Sequence, residues 1–224
     1  APIPIIAFWV FSQNGGDANY IRQIIILSLV LIWGLRLTFN WIRRWKGMND
    51  EDWRYDDFRK KFPKLYWLIS LSGIHLFPTV VVFLGCVSVY PALTYFNDAP
   101  GILDIIATLV TLIAIFIEYK SDEQLVAFLK SKPAKGSYLK GGLWKYSRHP
   151  NYFGEVLFWT GLFLFSMRFS YFEWWYLAGP VAMWGLFLFI SVPMMDKRMI
   201  ARKEGYQGYM KKTSGLVLWP PKHD

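Results

Sequence analysis

Long apolar runs separated by charged segments dominate the pattern of this chain. A helix that crosses a bilayer needs about 20 mostly apolar residues. Five runs approach or exceed that length, at positions 21–41, 65–96, 102–118, 152–169 and 174–195. The run 65–96 contains Pro78 and Pro91, and we interpret it as one kinked span or as a span with a short re-entrant piece. The pattern predicts an all-α, polytopic transmembrane helix bundle of about 5–7 spans.

The first eleven residues, APIPIIAFWVF, are also apolar but too short to cross a membrane alone. We interpret them as the end of a span whose beginning is missing, which makes the N-terminal span a truncated one. We predict a single transmembrane domain over 1–224, with the half that holds a cofactor at about 102–224.

The basic residues alternate with the spans. Segment 43–64 has eight Lys or Arg, segment 120–148 has seven, and the chain from Lys197 onward has seven. The intervening loops hold only Arg168, with Arg22 just past the first of them. By the positive-inside rule, the basic loops and the C-terminus share the cytosolic or matrix side of the membrane. Most of the net charge of +9 is explained by orientation and by contact with anionic lipid.

Composition narrows the chemistry further. The chain is 54% hydrophobic and 19% aromatic, as expected for a membrane protein with aromatic side chains at both interfaces. One cysteine excludes an internal disulfide, and the scattered His75, His149 and His223 do not make a metal site. No glycine-rich dinucleotide or P-loop motif follows a strand, and nothing indicates nucleic-acid binding.

Acidic residues occur where one span leaves the membrane. Glu118 and Asp122 are four residues apart and therefore share a helical face. Carboxylates at that depth have a partner, so Glu118 either binds a ligand or pairs with Arg36 or a lysine. The helix then leads through Lys130 into a loop rich in glycine and lysine.

The segment YSRHPNYFGE, at 146–155, begins the next apolar run. Pro150 suits the first position of a helix, and His149 would be its N-cap. The free N–H groups of a helix start, with Arg148 beside them, favour a phosphate or carboxylate. Asn151 and Glu155 lie one turn apart, and Gly154 allows a ligand or another helix to approach. We expect one elongated pocket open to the basic side. Its predicted lining is Glu118, Asp122, Arg148, His149, Asn151, Tyr152 and Glu155.

Several segments together resemble the steroid 5α-reductase C-terminal family, in its small bacterial-type branch. They are WGLRL, RRWKGMNDEDWRY, EYKSDEQLVAFLK, GGLWKYSRHPNYFGE and EGYQGYMKKTSGLVLWPP, which cover most of the chain from Trp33 onward. Isoprenylcysteine carboxyl methyltransferases and sterol reductases form a wider superfamily with the pattern Arg-His-Pro-x-Tyr-x-Gly. The resemblance implies a helical membrane enzyme with a soluble cofactor, NADPH or S-adenosylmethionine, in a pocket open to the cytosol.

The resemblance also implies roles for particular residues. In the reductases, an Asn and a Glu that match Asn151 and Glu155 line the NADPH pocket, and an acidic residue matches Asp122. The predicted cofactor-binding set is Arg36, Glu118, Asp122, Lys130, Arg148, His149, Asn151, Tyr152, Glu155, Asp196, Tyr206 and Tyr209. Ser191, Met195 and Met199 stand where the steroid reductases have Arg, His and Tyr around the nicotinamide.

The candidate proton donor for a reductase reaction lies outside the predicted cofactor-binding set. Reduction of a conjugated C=C bond needs an acid near the carbonyl oxygen. Tyr55 is the candidate, with Glu51 or Arg54 to tune it; equally, Asp52 and Arg54 simply pair with each other.

Three functions remain open. The first is an NADPH-dependent reductase of a C=C bond in a lipid-like or steroid-like enone, which the nearest branch and the lysine-rich loop favour. The second is a membrane methyltransferase that uses S-adenosylmethionine. The third is a non-catalytic relative that serves as an accessory subunit of a larger membrane complex. The expected partners are membrane lipids, a hydrophobic small-molecule substrate and, for the third function, other membrane subunits.

Overall fold

The protein is an all-α bundle. The computed structural model describes residues 2–13, 18–45, 47, 51–167 and 173–222. Eight helices in this part are α1 (Pro2–Gln13), α2 (Tyr20–Arg44), α3 (Trp53–Lys61), α4 (Tyr66–Thr94), α5 (Ile102–Lys130), α6 (Pro150–Leu164), α7 (Trp174–Arg202) and α8 (Tyr206–Lys212). A short 3₁₀ turn, Gly142–Lys145, precedes α6.

Four of the described helices, α2, α4, α5 and α7, are long and apolar enough to cross a membrane. They confirm the predicted transmembrane helix bundle. The run 152–169 forms the 15-residue helix α6 instead of a long span, and positions 168–172 lie outside the described residues. Arg168 and His223 are likewise outside them, so the predictions about these two residues stay predictions.

Two of the long helices contain a π-helical stretch, and each stretch comes just before a proline. Ser70–Leu76 precedes Pro78 in α4, and Phe187–Ser191 precedes Pro193 in α7. A proline ring clashes with the carbonyl four residues earlier and donates no hydrogen bond. A wider π turn relieves that clash without breaking the helix. The run 65–96 is therefore one continuous span, the first of the two predicted alternatives.

Small residues set the distance between α5 and α6. A Cβ atom at Gly154 would meet the Glu118 side chain, and one at Gly161 would meet Thr111. The two glycines are seven residues apart and face the same partner helix, so the backbones approach closely. The predicted close approach at Gly154 is thus made by a helix. It places the first turn of α6 directly against the acidic part of α5.

The basic segments lie at one end of the bundle. Arg43, at the end of α2, pairs with Glu123 in α5, and Arg198 of α7 lies over the ring of Trp53 in α3, 3.9 Å from its centroid. The C-terminal segment, positions 203–222, returns to the same end, where the backbone N–H of Trp219 donates a hydrogen bond to the carbonyl of Tyr146. We call this the basic end. Which side of the membrane it faces stays a prediction.

Candidate functional site

Three helices bring ionisable side chains together near the basic end. Arg36 comes from α2, Glu118 and Asp122 from α5, and Glu155 from α6. The spacing of four between Glu118 and Asp122 places both carboxylates on the face toward α2, as predicted. We call these four residues the Arg36 cluster. Ionisable groups inside a membrane bundle are costly, so by default they indicate a functional site.

Arg36 joins the two carboxylates of α5. Its Nη2 pairs with Glu118, and its Nη1 donates to Asp122 Oδ2 at 2.8 Å. Asn40, one turn further along α2, donates to the same Asp122 oxygen at 2.9 Å. The predicted alternative, in which Glu118 pairs with Arg36, is the arrangement in this structure. The Glu118 side chain is only 3% exposed, so the pair is shielded from solvent.

Glu155 is held by two indole groups. Trp33 Nε1 donates to one carboxylate oxygen at 3.2 Å, and Trp159 Nε1 donates to the other at 2.9 Å. Trp33 also lies close enough to interact with Glu118, but its hydrogen bond goes to Glu155. Trp33 stacks on Phe158 with ring centroids 4.5 Å apart, which fixes the indole in place. Glu155 is therefore oriented toward α2 and α5.

Two buried atoms of the Arg36 cluster have no hydrogen-bond partner within the described part of the chain: Glu118 Oε1 and Arg36 Nε. Leaving a buried polar group unsatisfied costs about 1–3 kcal/mol, and more when the group is charged. Native proteins keep few such groups, and each asks for an explanation such as a ligand. An acceptor and a donor without partners in one cluster are groups that can bind an amide or a hydroxyl group.

A second cluster lies where α6 begins. Arg148 donates to both oxygens of Asp196, at 3.2 and 2.6 Å, and its Nη1 donates to the carbonyls of Met210 and Thr213. His149 Nε2 is 3.0 Å from Asp196 Oδ1, and the Tyr206 hydroxyl donates to the same oxygen at 3.1 Å. We call Arg148, His149, Asp196 and Tyr206 the Asp196 cluster. It ties α6 to the end of α7 and to the C-terminal segment.

The tyrosines beside Asp196 are structural donors. Burial raises the pKa of Tyr206, and the neighbouring Asp196 carboxylate raises it further. Burial also raises the pKa of Tyr209, whose hydroxyl donates to the carbonyl of Trp144. Both phenols therefore stay protonated at any physiological pH. They keep donating their hydrogen bonds, so Tyr206 holds α8 to Asp196 of α7 and Tyr209 holds it to the 3₁₀ turn before α6.

The start of α6 has the predicted form. His149 is the N-cap residue and Pro150 opens the helix. The His149 ring stacks on Tyr152, with centroids 5.1 Å apart and planes within 10° of each other. Asn151 is half-buried, and its amide makes no hydrogen bond that the structure shows among the described residues. Asn151 is therefore the polar side chain of this turn that is available to a ligand.

Most of the predicted pocket residues are thus already bonded to protein groups. Arg36 pairs with Glu118 and Asp122, and Arg148 pairs with Asp196. A phosphate at Arg148 would have to displace Asp196 and two carbonyls, which corrects our expectation of a free guanidinium there. Unpaired cations lie nearby instead, at the end of α5 and on the loop that follows it. Four exposed lysines have no carboxylate within ion-pair distance among the described residues: Lys130, Lys132, Lys135 and Lys140.

The predicted catalytic residues lie on or just before α3, apart from both clusters. The Tyr55 hydroxyl is 3.2 Å from His75 Nε2 in α4. Glu51 pairs with Arg59 in solvent, so it does not tune Tyr55. Asp52 caps α3 and pairs with Arg54, as the structural alternative predicted. Burial alone would raise the pKa of Asp52, but the hydrogen bonds from Arg54 outweigh it, and the pKa is lowered.

Sequence reasoning missed three contributors: Asn40, Trp159 and His75. The signal for Asn40 was present, because Trp33, Arg36, Asn40 and Arg43 follow the spacing of one helix face. Trp159 follows Glu155 by four residues, which is the spacing of a helical pair. His75 had no such signal. Within the described residues, no group of three or more His, Cys, Asp or Glu side chains is arranged to hold a metal.

Comparison with known proteins identifies the family. The model of a family described as "Protein of unknown function (DUF1295)" matches residues 1–213. The chain belongs to this family. It is the steroid 5α-reductase C-terminal-like family, which agrees with the motifs above. Membership in its bacterial-type branch stays a prediction.

One curated relative is an uncharacterized protein of the fission yeast Schizosaccharomyces pombe. It is 28% identical over 187 residues, which cover 74% of this chain and 54% of the yeast protein. The chain thus spans about half the length of that relative. No solved structure matches the chain.

Proposed function

We propose that this protein is a membrane-embedded NADPH-dependent reductase of a C=C bond in a lipid-like or steroid-like enone. The observation that supports it most is the Arg36 cluster. Residues that match cofactor-lining positions of similar reductases, Asp122 and Glu155, converge there from separate helices. Buried carboxylates of this kind are costly to keep, and a ligand explains their retention.

The residues present fit the nicotinamide end of such a cofactor. Glu118 Oε1 is a buried acceptor without a partner, and Arg36 Nε is a buried donor without one. The amide of Asn151, on the neighbouring turn, adds a group with both functions. When bound, NADPH supplies the hydride. The chain's own residues would orient the cofactor amide and, because they are packed between helices, exclude water from it.

The phosphates fit the loop rather than Arg148. Lys130, Lys132, Lys135 and Lys140 are exposed at the basic end, and they form no ion pair that the structure describes. Lysine is a common partner of phosphate, as a compact point charge on a flexible stem. We therefore assign the phosphates of the cofactor to these lysines. Arg148 acts indirectly, by holding the C-terminal segment against the start of α6.

Tyr55 stays the predicted proton donor, although it lies apart from the Arg36 cluster, so the substrate would have to reach from that cluster to α3. Its hydroxyl lies within hydrogen-bond reach of His75, so the phenol can take a replacement proton from the imidazole. In this role the Tyr55 hydroxyl would protonate the enolate that remains after the C=C bond is reduced. Glu51 has no part in this step, because Arg59 binds its carboxylate.

An accessory role is the second candidate, and one feature of the sequence favours it. Ser191, Met195 and Met199 replace the Arg, His and Tyr that steroid reductases place around the nicotinamide. A relative that kept the fold but lost those contacts would retain the paired clusters and bind no cofactor. A cofactor titration distinguishes both of these functions from methyl transfer with S-adenosylmethionine.

Calorimetric titration of the purified protein with NADPH and with S-adenosylmethionine tests the proposal. We expect NADPH to bind and S-adenosylmethionine not to bind. Asn151→Ala should weaken NADPH binding about 3–10-fold, the range for one neutral hydrogen bond. Asn97→Ala is the matched control, since Asn97 is an exposed asparagine at the opposite end of α5. Binding of S-adenosylmethionine alone indicates a methyltransferase, and binding of neither by folded protein indicates an accessory subunit.

A further inference from the structure

A groove between α3 and α7 lies outside both clusters. Its volume is about 400 Å³, within the range of ligand pockets. One face of each helix forms a wall, because the lining positions recur every three or four residues. The α3 wall includes Trp53, Phe58 and Lys61, and the α7 wall includes Ile190, Met194 and Lys197. The contact of Arg198 with the Trp53 ring joins the helices at one end of the groove.

The groove is apolar in its α7 part and opens toward the lipid. Phe189 is 79% exposed and Ile190 is 45% exposed, and both belong to a helix that crosses the membrane. Pro193, one turn further on, is also exposed. These apolar side chains are exposed, so they can contact an acyl chain.

The other part of the groove is basic. Arg54, Lys61 and Lys197 line it together with a single acid, Asp57. Arg54 is paired with Asp52, and Lys61 is paired with Asp57 at 2.7 Å. Lys197 is exposed and has no ion pair among the described residues. An unpaired cation at the membrane surface, next to an apolar wall, is complementary to an anionic headgroup joined to an acyl chain.

We propose that the groove binds one anionic phospholipid. Its headgroup phosphate lies at Lys197, and one acyl chain runs along Phe189, Ile190 and Pro193. The position of the groove at the basic end agrees with this ligand, since anionic lipids collect at membrane surfaces where basic loops gather. The inference does not depend on the proposed redox activity.

Native mass spectrometry of the detergent-purified protein tests the proposal. The probes are dioleoyl phosphatidylglycerol, dioleoyl phosphatidylcholine with the same chains, and glycerol 3-phosphate without chains. We expect the first phosphatidylglycerol molecule to bind more tightly than phosphatidylcholine. Glycerol 3-phosphate should compete only weakly. Equal binding of the two lipids, or full competition by glycerol 3-phosphate, would overturn the proposal.

Two substitutions in the groove should change affinity in opposite directions. Lys197→Gln should weaken phosphatidylglycerol binding about fivefold, the usual effect of one cation at an anionic membrane surface. Asp57→Asn should strengthen it by a similar factor, because the acid is removed and Lys61 is released. Lys211→Gln and Glu204→Gln are matched controls, since both residues are exposed at the same end and outside the groove. Equal effects of the controls would indicate diffuse attraction and overturn the site.

Discussion

The helices α2 and α5 are joined by two buried ion pairs whose surroundings differ. Arg22 pairs with Asp104, and Arg36 pairs with Glu118. The second pair lies 14 residues after the first in both helices. All three guanidinium nitrogens of Arg22 are used, since they also donate to Asp98 and to the carbonyl of Phe96. Arg36 leaves Nε unused, and Glu118 leaves one oxygen unused.

The comparison separates a structural ion pair from a candidate site. A buried charge with every donor satisfied is explained by the fold alone. The Arg22 pair therefore acts as a clamp at the end of the bundle opposite the basic end. The Arg36 cluster has the same geometry between the same helices, but it keeps unsatisfied atoms and two extra carboxylates. Those differences, rather than burial or charge, make the Arg36 cluster the candidate site.

The largest effect is expected where the clamp is broken. Arg22→Met should lower the free energy of unfolding by about 3–5 kcal/mol, because the buried Asp104 carboxylate would lose the cation it pairs with. Unfolding in mixed detergent–SDS micelles measures this change. Asp98→Asn is the control, since the Asp98 side chain is 56% exposed and its pair should contribute about 1 kcal/mol or less. Similar losses for both variants would show that Arg22 is not a buried clamp.

A third arginine, Arg148, resembles Arg22 rather than Arg36. All three guanidinium nitrogens of Arg148 donate to protein atoms, as those of Arg22 do. Arg148→Ala should lower the free energy of unfolding by about 1.5–3 kcal/mol, the range for hydrogen bonds to a charged group. Limited proteolysis should then cut near α8 more rapidly. Weaker NADPH binding with unchanged proteolysis would restore the phosphate role first predicted for Arg148.

Arg148 also shows why only part of the site was predictable. The helix start at Pro150 depends on neighbouring residues, and the sequence was enough to predict it. The partners of Arg148 lie 48–65 residues later, on α7 and the C-terminal segment. Nothing local indicates that the chain returns to this point. The contact of Tyr55 with His75 was missed for the same reason, because it depends on how α3 folds back on α4.

The parts of the fold that were predicted depend instead on patterns within short stretches of the sequence. Span positions follow from hydrophobic runs, and the common end of the basic loops follows from charge alternation. The shared face of Glu118 and Asp122 follows from helical spacing, but the sequence does not show that this face is turned toward α2. The length of α6 was overestimated, because an apolar run does not show where a helix ends. Leu164 closes the helix, and Phe165, Ser166 and Met167 continue as a hydrogen-bonded turn.

The contact between α5 and α6 offers a way to disturb the Arg36 cluster without a change of charge. Gly154→Ala should cost about 1–3 kcal/mol, because its Cβ would press on the Glu118 side chain and the backbone of α5. The control is Gly185→Ala, where the added Cβ meets nothing within 4 Å. Unfolding of both variants in micelles gives the comparison. Equal stability of the two would mean that the helices are not in close contact at Gly154.

The smallest effect on stability is expected from Glu118→Gln, and it tests the comparison most directly. The Gln amide keeps an oxygen for Arg36, and Asp122 remains as the counter-charge. One oxygen of Glu118 has no partner to lose, so the free energy of unfolding should change by less than about 1 kcal/mol.

The matched variant at the other pair is Asp104→Asn. Asp104 accepts hydrogen bonds on both oxygens, from Arg22 and from the backbone N–H of Gly101. A loss of about 1.5–3 kcal/mol is therefore expected there. Titration of the folded Glu118→Gln protein with NADPH tests the functional role of Glu118. We expect NADPH to bind about tenfold more weakly, because a charged acceptor is lost. If Glu118→Gln is as destabilising as Asp104→Asn and leaves NADPH binding unchanged, the two pairs are equivalent and the Arg36 cluster is a second clamp.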